Sequence, residues 1–408
     1  MTPGAEAPSP AAEATLLLEK AREALTRMRT YRRDFDGAHR LAHDAQVREA
    51  LTRNELTVAL QESLTSRAEM EARLRDWALA AYASRGAAPL RRRNRISRRI
   101  DRVLARLGSL GQALVIARSG VWRGSGRPLH DLRHMAAYAR RRAKGEVAPL
   151  APLDQAWYLD HNADVAGARM APLVHYLTTG ADEGRSPGPL FDESWYRLQN
   201  AAELAATGLT ALEHYVRVGA VRGLNPHPLF DTSHYLAQAP LLAPGDDPMS
   251  HYLREGGALG LSPHPLFDPA YYAGGAGDLG GAPALVHYLA RGWREGLSPH
   301  PLFDQAWYLQ QAPELVGTEV EPLSHFLAFG GAEGRDPSPW FDSIGYRAAR
   351  GEALAPGANP LIDYLKGGAW AVAEPRPGFP TAAYLASRPD LARSGVTPLE
   401  HWARRQGR

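Results

Sequence analysis

Apolar and polar positions follow three successive rhythms along the 408 residues. Over 13–84 the apolar spacing alternates between four and three through Leu17, Ala21, Ala24, Met28, Tyr31, Phe35, Ala38, Ala42 and Ala45. That is the heptad seam of a coiled coil. The register breaks near Arg48 to Asn54 and resumes through Leu56, Leu60, Leu64, Met70 and Leu74, which leaves open both an antiparallel helical hairpin and self-association of one long helix. Over 85–150 the period is that of an amphipathic helix. Ile96, Ile100, Val103, Leu104 and Leu107 fall on one face, while Arg91, Arg92, Arg93, Arg95, Arg98, Arg99, Arg102 and Arg106 occupy the rest. Leu110, Leu114, Val115, Ile116, Val121 and Trp122 extend the apolar side.

From Leu153 a longer rhythm takes over. A cassette first complete at Phe191-Asp192-x-x-Trp195-Tyr196 continues through His214-Tyr215, Gly219, Gly223, Pro226 and Pro228, then restarts at Phe230-Asp231. The aspartates stand at Asp154, Asp192, Asp231, Asp268, Asp304 and Asp342, at intervals of 38, 39, 37, 36 and 38 residues, with a degenerate last copy at Phe379-Pro380. A fixed period in this range denotes an array of one supersecondary unit. Asp192 suits a helix N-cap, since its carboxylate accepts from the unpaired amides of the first turn. Phe191 and Tyr196 then occupy the two positions of a hydrophobic staple. A second helix opens with Pro at its first position at Pro172, Pro248, Pro322, Pro360 and Pro398. Gly180 suits a left-handed cap, and segments such as Pro226-His227-Pro228 hold an extended connector. The fold expected is all-α: an N-terminal coiled-coil or helical hairpin and a basic amphipathic helix, then an α-solenoid of about seven two-helix units over 151–408. Residues 1–12, rich in Pro and Ala, form a disordered lead.

Charge divides the chain. Residues 1–150 hold 29 Lys and Arg against 16 Asp and Glu, whereas 151–408 hold 18 against 28, balances of +13 and −10. The two halves therefore face different partners. The basic segment has three readings. An anionic membrane surface is preferred, because charge and shallow apolar burial act together there. Nucleic acid is the second, though no zinc spacing, RNA-binding aromatic motif or basic zipper accompanies the arginines. The third is an Arg-rich helix packed on the acidic array. With no cysteine, thiol chemistry and disulfides are excluded. The amino terminus lacks a signal-peptide pattern and no apolar run reaches membrane-spanning length, so a cytoplasmic location, peripheral at the membrane, is expected.

The histidines His175, His214, His251, His287, His325 and His401 recur once per unit, with Asp363 in the remaining copy. A shared metal is excluded by geometry: packed helices lie about 8–10 Å apart, whereas zinc ligands sit about 2 Å from the ion. Replacement by Asp363 fits a position that needs a local hydrogen bond, to backbone or to a neighbouring unit. Asp34-Phe35-Asp36 has an Asp-x-Asp form but lies in the helical seam, and Asp246-Asp247 reads as a cap before Pro248. No phosphate loop, nucleophile elbow or zinc-protease motif is present. No catalytic residue, cofactor or metal is assigned. Trp157, Trp195, Trp307, Trp340 and Trp402 read as inter-unit core before sugar platforms.

The pattern Phe-Asp-x-x-Trp-Tyr-Leu, then Pro-Leu-x-His-Tyr-Leu-x-x-Gly-x-x-x-Gly-x-x-Pro-x-Pro-Leu-Phe-Asp, is clearest at Leu153–Asp192 and Phe267–Asp342. It resembles a repeat appended to bacterial glycosyltransferases and related cell-surface polysaccharide proteins. In those relatives catalysis belongs to a separate nucleotide-sugar-binding α/β domain, for which this chain has no room. The resemblance implies a setting, surface-glycan assembly at the cytoplasmic face of a bacterial inner membrane. The expectation is a non-catalytic scaffold, held at the membrane by the basic segment and engaging a protein or glycan through the array. A glycosyltransferase-like or glycan-active enzyme is the rival.

Overall fold

The computed structural model describes residues 95–141, 149, 151–167, 170–239, 242, 246–371, 373–388 and 390–406. The lead 1–12, the heptad region 13–84, Asp34, Asp36 and the arginines Arg91, Arg92 and Arg93 lie outside the described residues. Among those described, the protein is all-α, and extended pairing is confined to isolated bridges.

The basic segment is not one continuous helix. Helices α1 (Arg95–Arg106) and α2 (Gly108–Ser119) are separated at Leu107 and Gly108, where Gly108 takes a φ of 77° that a side chain would oppose. The chain then doubles back. Arg118 near the end of α2 donates to Asp101 at 2.9 Å and to Ser97 at 3.0 Å, both on α1. Gly111 permits this approach, since a Cβ there would sit 2.1 Å from the Leu104 carbonyl oxygen. The expected continuous apolar side is thereby divided: Val115, Ile116, Val121 and Trp122 are buried, while Leu110 and Leu114 stay exposed. Helix α3 (Pro128–Arg141) follows.

Seven units come next. Their first helices are Gln155–His161, Glu193–Gln199, Thr232–Gln238, Pro269–Ala276, Gln305–Gln311, Ser343–Arg350 and Thr381–Ser387. Each of the first six is capped by its repeat aspartate, whose Oδ1 accepts from an amide two or three residues on. The distances for Asp154, Asp192, Asp231, Asp268, Asp304 and Asp342 run from 2.7 to 3.0 Å. The Phe and Tyr rings five residues apart meet at centroid distances of 5.1 Å for Phe191/Tyr196 and 5.6 Å for Phe379/Tyr384. The last unit keeps this ring pair with Pro380 at the cap, which offers no side-chain acceptor.

The second helices open as one α-turn, Pro172–His175 in the first unit, then widen into a π-turn, Tyr176–Gly180. There Ala181 N–H reaches five residues back to the Tyr176 carbonyl at 2.9 Å. Single π-turns often mark functional sites, but this one recurs in six units and belongs to the unit's architecture. Gly180 is not the left-handed residue. That role falls to Gly184, φ 77°, and its counterparts Gly223, Gly260, Gly296 and Gly334. Gly180 is instead required for close approach: a Cβ there would lie 2.3 Å from the Tyr158 hydroxyl, and at Gly256 and Gly292 the same clash is 1.9 Å.

The connectors turn rather than run extended throughout. Phe230 N–H closes on the His227 carbonyl at 3.0 Å, and Phe267 and Phe303 repeat the bond at 2.9 and 3.0 Å. Each aspartate's N–H then donates to a proline carbonyl in the following connector, as Asp231 does to Pro263 at 2.9 Å. Second helices are tied across units as well. Tyr176, Tyr252 and Tyr364 hydroxyls accept from Leu212, Leu285 and Leu399 amides at 3.2–3.3 Å. Tyr138 on α3 does the same for Leu173 at 3.0 Å, and its ring meets Trp122 at 5.8 Å, the spacing of Phe191 and Tyr215. So α3 stands where a preceding unit would, and Trp122 and Tyr138 belong to the array's first layer. The array also folds back on itself. Lys366 Nζ lies 3.1 Å from Asp231 Oδ2, 135 residues away, and Arg404 pairs with Asp268 across 136.

Candidate functional site

The hairpin α1–α2 has two unlike faces. At 100° per residue, Ile96, Ile100, Val103 and Leu107 fall within roughly 60° of one another around α1. All four are exposed, Ile96 at 66% and Leu107 at 65%, as are Leu110 at 67% and Leu114 on α2. Leu114 is one turn from Arg118, which is bonded to α1, so the α2 leucines lie beside the α1 stripe and the patch crosses both helices. Leu104 is half-buried between them.

The opposite face of α1 is bound to the array. Arg98 donates to Asp182 at 2.8 Å and to the Gly208 carbonyl at 2.9 Å, and Arg102 donates to the same carboxylate at 3.0 Å and to the Thr178 carbonyl at 3.2 Å. Gln112 on α2 accepts from Ala171 N–H at 3.1 Å. Farther on, Arg123 and Arg254 both meet the buried Asp246. Arg99 and Arg106 are exposed and make no ion pair or side-chain hydrogen bond with another described residue. Of the arginines grouped together by the sequence pattern, Arg98 and Arg102 are therefore bonded to the array surface and Arg99 and Arg106 flank the apolar stripe. Arg95 begins α1. Covering the exposed part of six such side chains is worth on the order of 1 kcal/mol each, against about 1 kcal/mol for each arginine at an anionic surface. A cleft of about 350 Å³ between α1 and the second unit is lined by Arg98, Asp182, Arg197 and Leu204. Its guanidinium groups are already bonded, Arg197 to the Ala181 carbonyl at 2.6 Å.

The repeated histidines pair with the tyrosine of their own unit, neither with backbone nor across units. Tyr158–His175, Tyr196–His214, Tyr235–His251, Tyr272–His287, Tyr308–His325 and Tyr384–His401 join hydroxyl to Nδ1 at 2.6–3.0 Å. Asp363 takes the same partner, accepting from Tyr346 at 2.6 Å, with Arg350 alongside at 2.9 Å. Burial holds all six histidines below the ordinary imidazole value, so they are neutral near pH 7. Tautomers follow from the second nitrogen. His214 Nε2 faces the Glu203 carboxylate at 3.1 Å and carries the proton, leaving Nδ1 to accept from Tyr196. Arg291 donates to His287 Nε2 at 2.8 Å, so His287 donates from Nδ1 to Tyr272. Among the described residues no three His, Asp or Glu side chains converge as a metal would require.

A second histidine series went unread in the sequence. His227, His264 and His300 of the connectors are buried, and each Nδ1 accepts from the amide two residues on at 3.0–3.1 Å, closing its turn. Burial pushes His227 down to about 4, opposed by Asp192, and His264 to about 3, opposed chiefly by Asp231. For Asp231 burial works upward, but Lys366 and the bonds from His234 N–H and Ser233 outweigh it and hold the carboxyl well below its usual range. The repeat aspartates and connector histidines thus meet inside the array, in caps and turns. Trp195, Trp340 and Trp402 pack against the core while remaining half-exposed. Among the described residues no helix is long and apolar enough to cross a membrane.

No family model, characterised protein or solved structure matches this chain.

Proposed function

We propose that the protein is a non-catalytic scaffold: an α-solenoid array that engages a protein or glycan partner, held peripherally at an anionic membrane surface by the α1–α2 hairpin. The observation that carries this reading is the exposed stripe of Ile96, Ile100, Val103, Leu107, Leu110 and Leu114 on a hairpin whose other face is bonded to the array. Large exposed apolar patches mark interaction surfaces, and arginines beside such a stripe suit an interface that is apolar inside and charged at its edge. The array contributes a fixed frame, because its signature residues are engaged in caps, staples and Tyr–His bonds. The repeat resemblance directs the search for its partner to surface-polysaccharide assembly.

Deletion of the hairpin through α3 would take Trp122 and Tyr138 out of the core, so point substitutions on the exposed stripe are used. The test is co-sedimentation of the full chain with phosphatidylglycerol-containing vesicles, beside an Ile100→Asp/Leu107→Asp variant whose helicity is checked by circular dichroism. Binding by the parent and loss in the variant is expected. A parent chain that sediments with no vesicle of any composition overturns the membrane reading, and binding to duplex DNA with a steep salt dependence would replace it with nucleic acid.

A further inference from the structure

We infer that apolar insertion, with charge in a secondary role, drives docking of the hairpin, and that its partner is a bilayer whose headgroups are loosely packed. The inference rests on the membrane reading above and specifies the lipid surface. It stands on how the hairpin divides its side chains. The sequence pattern surrounds one apolar face with arginines, which would make adsorption to anionic headgroups the leading force. Folding changes that balance. Asp182 binds Arg98 and Arg102 and offsets one of their two charges, and Asp101 offsets that of Arg118, in each case at 3.0 Å or less. Along the face itself six exposed apolar side chains remain against Arg99 and Arg106.

The layout of that face fits a lipid surface. Ile96 at the start of α1 is as exposed as Leu107 just past its end, so the stripe runs the length of the helix, the layout of a helix lying along a surface. Leu110 and Leu114 widen the stripe onto a second helix, beyond the narrow seam that a single partner helix would fill. Arg99 and Arg106 lie on the flank of α1 away from α2, beside the stripe. There their aliphatic stems can follow the apolar side chains while the guanidinium groups stay with the phosphates. Shallow insertion of bulky apolar side chains needs gaps between headgroups, and such gaps are more numerous in small, highly curved vesicles than in large ones of the same lipid.

The experiment measures sedimentation of the full chain with zwitterionic phosphatidylcholine vesicles, small and large, in 0.1 M and 1 M NaCl as working concentrations. It includes phosphatidylglycerol vesicles as a reference, and Val103→Asp/Leu107→Asp and Arg99→Ala/Arg106→Ala variants. All four substituted positions are exposed, so both variants retain the fold. Expected are binding to small neutral vesicles at least fivefold stronger than to large ones, and less than a threefold loss in high salt. The aspartate variant should lose binding at least tenfold and the alanine variant less than fivefold. Binding confined to anionic vesicles and abolished by salt overturns the inference while leaving membrane attachment intact. Absence of binding to every vesicle overturns both. A parent chain that is dimeric by light scattering, and monomeric in the aspartate variant, assigns the face to a second copy and overturns the lipid assignment.

Discussion

The hairpin and the repeat array use the same residue types in opposite ways. In the array the conspicuous side chains are turned inward: aspartates cap helices, aromatic rings close staples, and histidines bond to tyrosines. In the hairpin, Arg98 and Arg102 are bonded to the array, while Ile96, Ile100, Val103, Leu107, Leu110 and Leu114 are left outside. What recurs every unit serves the unit. A surface available for partners is found where the usual rule of apolar burial is broken.

The largest test of this contrast is Gly256→Ala. The new methyl would stand 1.9 Å from the Tyr235 hydroxyl, closer than atoms can sit, in a core where overpacking costs about 1–3 kcal/mol and more where neighbours cannot yield. The urea midpoint should fall sharply. A change below about 0.5 kcal/mol, typical of surface positions, would mean that the Tyr–Gly contact does not hold the unit together.

Two buried titrations sharpen the same point, with opposite slopes. Glu193 is buried beneath the Tyr176 hydroxyl, and burial lifts it to about 7. The folded form therefore keeps its proton where the unfolded chain releases it. That contribution is complete below about pH 4.5 and is lost as pH rises to 7, by up to about 3 kcal/mol. Glu193→Gln should remove this loss and be the more stable protein at pH 8, read from unfolding midpoints at pH 5 and 8. His227, at about 4, does the reverse. Its contribution is complete above about pH 6.5 and is lost as pH falls to 4, again by up to about 3 kcal/mol. His227→Asn should flatten the acid limb, and an unchanged limb would place the acid-sensitive group elsewhere.

Smaller is the tie between units three apart. A double-mutant cycle of Asp231→Asn and Lys366→Met should give a coupling of about 1 kcal/mol, modest because the lysine is 42% exposed. Zero coupling would mean that the fold-back does not depend on this pair. The smallest effect belongs to the hairpin: Ile100→Ser should change stability by no more than about 0.5 kcal/mol. A larger loss would show that the stripe is covered in solution.

Legibility followed distance along the chain. The caps and staples join residues three to five apart, and the helical class and the repeat were readable because periodicity reports such local relations. The Tyr–His bond spans 15 to 18 residues, and its need for one more acceptor was visible only indirectly, through Asp363. Gly180 was misread because a glycine near a helix end usually signals positive φ, whereas here it clears space for a hydroxyl from another helix. The turn at Gly108 and the pairing of Arg98 with Asp182 were not legible. The apolar rhythm of α1 continues without interruption into α2, and which arginines find a carboxylate 80 residues or more away depends on how the array is assembled.

The hydroxyl of Tyr138 has a consequence for how the protein is made. It offers Leu173 the acceptor that Leu212, Leu285 and Leu399 receive from Tyr176, Tyr252 and Tyr364 in the units before theirs. A ribosome releases the chain amino terminus first, so each of these four second helices emerges after its acceptor has been synthesised. At those four joints growth is templated in one direction, the new helix completing itself against a surface already formed. The salt links to Asp231 and Asp268, which await residues 135 and 136 positions later, come last, as latches that close once the layers are in place.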